Sequence, residues 1–301
     1  MMSWLGAAIL SAATLGLINI IDSHLLSKRM PSLGSYLVPV GIANLIGGLV
    51  IFLLCPLPAN LSSGQISIAL VSGISRTTAI IIILRALQNN EVSKIVPVTN
   101  IYPIFVAILA IPILGEVLRG VQWIAILITT AGAMLIFSNM DRGLSKARPG
   151  KTLPLLIIAS LLIAVANIAG KFALDYISPW NLYTITTFCM AGTFFLLFLR
   201  FKIFRELGHL KRPVVTMSLL AGNETLVLLS MVLFFWAMDH GPVSLVSAIA
   251  GTMPAFVFIY AVIISRVSPI LMEWHMKRET IVLRSISIAM IVGGVTLIYL
   301  Y

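Results

Sequence analysis

A carboxylate inside an apolar segment needs either a partner or a task. In SLLAGNETLVLLSMVLFFWAMDH, at 218–240, Asn223 and Glu224 interrupt a run that would otherwise dissolve in oil. Arg76 sits in a second apolar run with Ser72 one turn before it. Asn167, Lys171 and Asp175 recur every fourth residue in a third, so they share one helix face. A charge left facing lipid costs about 2.5–3.5 kcal/mol on insertion scales. These groups are therefore expected to face one another, a water-filled cavity or a cargo.

For Glu224 two roles compete: contact with an amine-bearing cargo or uptake of a proton, against pairing with Arg76 or Lys171. Arg76 suits a carboxylate or phosphate, or equally an internal pair. Lys171 has a stem long enough to snorkel to an interface. Charges of both signs at depth would suit a zwitterion or a substrate with one anionic end, and equally an internal ion pair with a neutral cargo. Tyr102, Tyr183 and Tyr260 are candidate lining groups, and grouped around Glu224 they would suit a quaternary ammonium.

These residues must be held by membrane elements. The 301 residues are 59% hydrophobic and only 10% charged, against about 25% charged in an ordinary soluble domain. A helix needs roughly 20 apolar residues to cross the hydrocarbon layer. Ten segments qualify, at about 4–23, 33–55, 65–88, 93–114, 119–138, 153–175, 180–200, 214–237, 242–264 and 282–301. Runs such as IIIIL at 80–84 do not alternate as barrel strands would. The fold class is thus all-α, an integral membrane bundle of ten transmembrane helices.

The net charge of +10 marks topology rather than nucleic acid. The odd-numbered links and their edges carry Lys28 and Arg29, Lys94, then Arg142 to Lys151, Arg200 to Arg212 and Arg266 to Arg284, whereas the even links carry Arg119 alone. Basic residues favour the cytoplasm. The odd links are therefore placed there, with both termini outside and labelling of a cysteine at Ser145 expected only from the cytoplasmic side. RELGHLKR at 205–212 reads as part of such a loop. Cys55 and Cys189 show no metal or disulfide spacing, and the four histidines do not group as ligands. No P-loop, HExxH or GxSxG occurs. Neither a cofactor nor an enzyme activity is expected.

The chain also repeats. RALQNNEVSKIVPVTNIYPIF at 85–105 aligns with WAMDHGPVSLVSAIAGTMPAF at 236–256, pairing Ala86 with Ala237, Ser93 with Ser244, Pro103 with Pro254 and Phe105 with Phe256. Earlier, Asn19 aligns with Asn167. Residues 1–140 and 153–301 are read as two five-helix units joined by a linker at 141–152. Five crossings reverse the second unit, so the units form inverted repeats, a plan shared by many secondary transporters. Pro103 and Pro254 fall within the fourth and ninth helices as candidate hinges.

Residues 86–137 resemble the EamA repeat of the drug/metabolite transporter superfamily. The match rests on Pro103, the Gly115–Glu116 turn, Gln122–Trp123 and the small pair Ala131–Gly132. The second copy retains Pro254, Gly293 and Gly294 but has Ser265, Arg266 and Val267 at the turn. The resemblance implies a ten-helix carrier with a central cavity, and leans toward efflux. The sequence reading is a transporter of a small polar or charged metabolite, amino-acid-like or amine, across the inner membrane by alternating access. Proton coupling and uncoupled exchange both remain open, and the protein is expected as a monomer or weak homodimer among membrane lipid. A lipid-linked or amphipathic cargo is the alternative; a membrane enzyme or a scaffold subunit stands behind it. The candidate cargo-binding residues are Glu224, Arg76, Asn223, Lys171, Asn19, Asn167, Ser72, Tyr102 and Tyr260.

Overall fold

The computed structural model describes residues 3–89, 92–136, 152–267 and 278–300. Ser145, the basic residues from Arg142 to Lys151 and all of the linker but Thr152 lie outside the described residues. So do the side chains at 265–267. Every regular element among the described residues is helical. Among the described residues nine helices, two of them interrupted, are long and apolar enough to cross a membrane. A tenth, Gly120–Leu135, is shorter.

The first half contains α1 (Trp4–His24), α2 (Leu33–Leu54), α3 (Ser63–Asn89), α4 (Val92–Thr99), α5 (Tyr102–Leu114) and α6 (Gly120–Leu135). The second contains α7 (Thr152–Leu174), α8 (Pro179–Phe198), the short α9 (Phe201–Gly208), α10 (Pro213–His240), α11 (Val243–Ala250), α12 (Met253–Val267) and α13 (Arg278–Leu300). A π turn, Leu25–Arg29, extends α1. Helix α9 packs on the start of α2: Ile203 lies against Gly34, and Glu206 accepts a hydrogen bond from Ser32, the N-cap of α2.

The fourth and ninth apolar segments differ from expectation. Neither is one continuous helix with a proline inside. Both break, at Asn100–Ile101 and at Gly251–Thr252, which are equivalent positions of the two repeats. Pro103 and Pro254 then stand in the first turns of α5 and α12. A first-turn residue donates no intrahelical hydrogen bond, so proline is tolerated there and not in the interior.

Packing follows the repeat in an unexpected way. The closest helix pairs are α3 with α7, α1 with α10, α2 with α8, and α6 with α13. Each pair joins one repeat to the other. The first two exchange under the repeat correspondence and the last two map onto themselves, as a two-fold arrangement requires. The repeats therefore interleave rather than form two separate lobes. The α6–α13 seam shows how closely helices approach where small residues meet. A Cβ at Gly132 would come 2.9 Å from the Ser287 carbonyl oxygen, and one at Gly294 would overlap Thr129 Oγ1.

Candidate functional site

Arg76, from α3, reaches the centre of the bundle. Its Nη2 donates to Asn167 Oδ1 on α7 at 2.9 Å. The guanidinium carbon lies 5.6 Å and 5.4 Å from the ring centroids of Phe234 and Phe235 on α10. These are cation–π distances. Asn167, 1% exposed, passes the contact on: its Nδ2 donates to Ser247 Oγ on α11 at 3.0 Å. Tyr102, the first residue of α5, donates its hydroxyl to the Ser247 carbonyl at 3.2 Å. Five helices, α3, α5, α7, α10 and α11, thus meet around one cation.

A cavity of about 90 Å³ opens beside this network. Arg76, Tyr102, Asn167, Ser11, Ser230 and Ala250 are among its lining residues. Its place follows from the breaks, since Tyr102 begins one half-helix and Ala250 ends another. Ser11 and Ser230 join α1 to α10 through reciprocal hydroxyl-to-carbonyl hydrogen bonds of 2.9 Å and 3.1 Å. One donor of this cavity-lining arginine is unused: Arg76 Nε is buried with no acceptor among the described residues. Leaving such a donor unsatisfied costs about 1–3 kcal/mol, more for a charged group.

Glu224 belongs elsewhere. It neither pairs with Arg76 nor with Lys171. Its Oε2 accepts from Asn44 Nδ2 on α2 at 3.3 Å. Beside it, Asn223 Nδ2 donates to Asp22 Oδ1 on α1 at 2.6 Å, and the Tyr36 hydroxyl donates to the same oxygen at 2.6 Å. Ten residues of helix separate Glu224 from Phe234, about 15 Å at 1.5 Å per residue. Glu224 and the phenylalanines that flank Arg76 therefore occupy different levels of α10.

The remaining sequence candidates have structural places. Lys171 Nζ donates to the carbonyls of Met238 and Asp239. It caps the C-terminal end of α10, where cations satisfy orphan carbonyls and the helix dipole. Ser72 donates to the Ala166 carbonyl at 2.8 Å and ties α3 to α7. Asn19 is exposed, with its amide turned back to the Leu15 carbonyl of its own helix. Its repeat mate Asn167 is central, so equal position does not confer an equal environment. Tyr260 lies tilted against Phe256, with centroids 6.5 Å apart. It is not among the residues around the Arg76 cavity. Tyr102, Tyr183 and Tyr260 do not gather into an aromatic cage.

Sequence reading passed over Ser11, Ser230, Phe234, Phe235, Asn44 and Tyr36. The serines and Asn44 carried a signal, being polar in apolar runs. The phenylalanines carried none. In the sequence Glu116 reads only as part of a turn motif. Its carboxylate accepts from the backbone N–H groups of Val243 and Ser244 and from the Ser244 hydroxyl. It is the N-terminal cap of α11, supplied from the other repeat. Gly115, at φ 67°, closes α5 in the left-handed conformation that lets the chain turn there.

The same two-unit organisation is found by comparison. The model of the EamA-like transporter family matches residues 2–138 and again 150–300. The chain belongs to the EamA-like transporter family. It is accordingly a multi-pass membrane protein of the drug/metabolite transporter type. A solved protein crystal structure superposes on this family member with a TM-score of 0.69 at 14% identity, covering 99% of this chain and 95% of the other. At that identity the likeness shows the fold alone. No curated protein matches the chain.

Proposed function

We propose that the protein carries a small metabolite with an anionic group, a carboxylate or phosphate, which binds Arg76 in the cavity between the two broken helices. The unsatisfied Nε of Arg76, a residue that lines the cavity, carries this reading. Asn167, Phe234 and Phe235 hold the guanidinium in place, so a bound anion meets a preorganised charge. Preorganisation lowers the entropy cost of binding. No covalent chemistry is involved. The cargo is drawn to Arg76, and an amine group, where present, is not bound by Glu224 at the same time.

Alternating access fits the position of the breaks. Discontinuous helices concentrate backbone flexibility and polarity near mid-depth. Both breaks occur at equivalent places, and residues next to each line the cavity. Because the repeats interleave, the moving bodies are sets of helices drawn from both, such as α3 with α7 and α1 with α10. The charge bias of the links supports an inner-membrane location with cytoplasmic odd links. Efflux or exchange follows the family tendency.

A thermal-stability screen of the purified full-length protein tests the cargo class. A ligand that binds only the native state raises apparent stability by mass action. Carboxylates or phosphates are expected to stabilise the protein where neutral and purely cationic metabolites do not, and hits are expected to cross sealed proteoliposomes. Stabilisation by amines alone, undiminished in Arg76→Ala, would overturn the assignment.

A further inference from the structure

The Asp22–Glu224 region has two carboxylates and no basic partner. Among the described residues neither forms a salt bridge, although the two are close enough for their charges to interact. The donors of Tyr36, Asn223 and Asn44 are already committed. Tyr36 and the Asn223 amide both donate to Asp22 Oδ1. Asn44 divides its amide between the Val40 carbonyl and Glu224. Tyr183, on α8, is the other titratable group within electrostatic range of Glu224. His24, two residues beyond Asp22, accepts from Arg29 Nε instead.

A second, independent feature marks the place as a ligand site. Asn223 is 1% exposed, its amide nitrogen is committed to Asp22, and its Oδ1 has no donor among the described residues. A buried carbonyl oxygen without a donor is uncommon and costly. Here it stands beside two carboxylates. The region therefore has excess negative charge and excess acceptors, with the Tyr36, Asn44 and Asn223 donors already committed. A positive charge held there would offset both. Two neighbouring carboxylates lower their repulsion by holding a proton or a cation between them. Oxygen-rich sites suit hard cations.

We propose that Asp22, Asn223 and Glu224, with Asn44, form a site for a coupling cation, a proton or an alkali ion, on a level of the bundle distinct from the Arg76 cavity. The site lies about 15 Å along α10 from the phenylalanines that flank Arg76. It joins α1, α2 and α10. Helix α10 thus bears on both sites, and α1 contributes Ser11 to one and Asp22 to the other. Occupancy by a cation would favour the packing of α1 on α10, and that packing also forms one wall of the cargo cavity. The proposal concerns binding of the ion, so its test does not depend on which cargo the protein carries.

The experiment measures the thermal stability of the purified full-length protein without cargo. In one arm sodium or potassium chloride replaces choline chloride at constant ionic strength and pH. In the other, pH is varied from roughly 5 to 9 at constant choline chloride. A stabilisation by sodium or potassium of about 2–4 °C, lost in Glu224→Gln, assigns an alkali cation. A pH dependence that Glu224→Gln diminishes, without an alkali effect, assigns the proton. Asp22→Asn provides a second neutral variant should the first fail to fold. Equal responses of the wild type and both variants in every arm overturn the site. Methylammonium stabilising the wild type more than either alkali ion would also overturn it as a coupling site and return Glu224 to the cargo path.

Discussion

The cap supplied by Glu116 gives the most direct test of how the repeats lock together. In Glu116→Ala, the N–H groups of Val243 and Ser244 and the Ser244 hydroxyl lose their acceptor. Removal of a good N-terminal cap costs about 0.5–2 kcal/mol. Loss of a negative charge from the same helix end adds about 0.3–1 kcal/mol, and up to about 2 where the site is partly buried. The total is about 1–4 kcal/mol. For a protein this large each kcal/mol lowers Tm by roughly 2–4 °C, so the loss should be readable as several degrees. Glu116→Gln keeps an acceptor but not the charge, and should lose about half as much. Tm measured by tryptophan fluorescence in detergent makes the comparison, with Ser244→Ala in both backgrounds to isolate coupling. A Glu116→Ala protein as stable as the wild type would refute the cap, and Gln equal to Ala would refute the charge contribution.

Four further expectations concern other parts of the molecule. Arg76→Ala should weaken an anionic cargo by about 10–100-fold, the cost of one charge-assisted hydrogen bond, while a neutral cargo binding the same cavity changes little; equal losses measured by equilibrium binding would instead make Arg76 a packing residue. Lys171→Met should lower Tm by a few degrees, because two carbonyls of α10 lose their donor, yet leave the ranking of cargoes in a stability screen unchanged. Gly132→Leu should reduce folded yield on size exclusion, since even a Cβ there meets backbone at 2.9 Å, whereas Gly293→Leu, with open space around it, should be tolerated. In a Cys55→Ser, Cys189→Ser background, a cysteine at the exposed Lys202 should react with an impermeant maleimide only from the cytoplasmic side and one at the exposed Val117 only from outside; the opposite pattern would invert the topology.

The membrane class, the ten apolar segments and the doubled unit were legible in the order of residues. Hydrophobic length is a local property, and a repeat is visible as soon as Pro103 is laid beside Pro254. The prolines even marked the right places for the breaks, although the helices end just before them rather than bending around them. The family match extends the same local signal across both copies.

What each deep polar group does was decided only by folding. Arg76, Lys171 and Glu224 look alike on a hydropathy scale, as isolated charges in oil. Folding gives Arg76 to Asn167 and two phenylalanine rings, Lys171 to the end of α10, and Glu224 to Asn44 beside the Asp22–Asn223 pair. Asn19 and Asn167 match in the repeat and part company in space. The cause is the interleaving of the halves: nearly every one of these contacts joins residues far apart in the chain. Periodicity records which side of its own helix a residue occupies; it holds no record of which other helix will come to lie against that side.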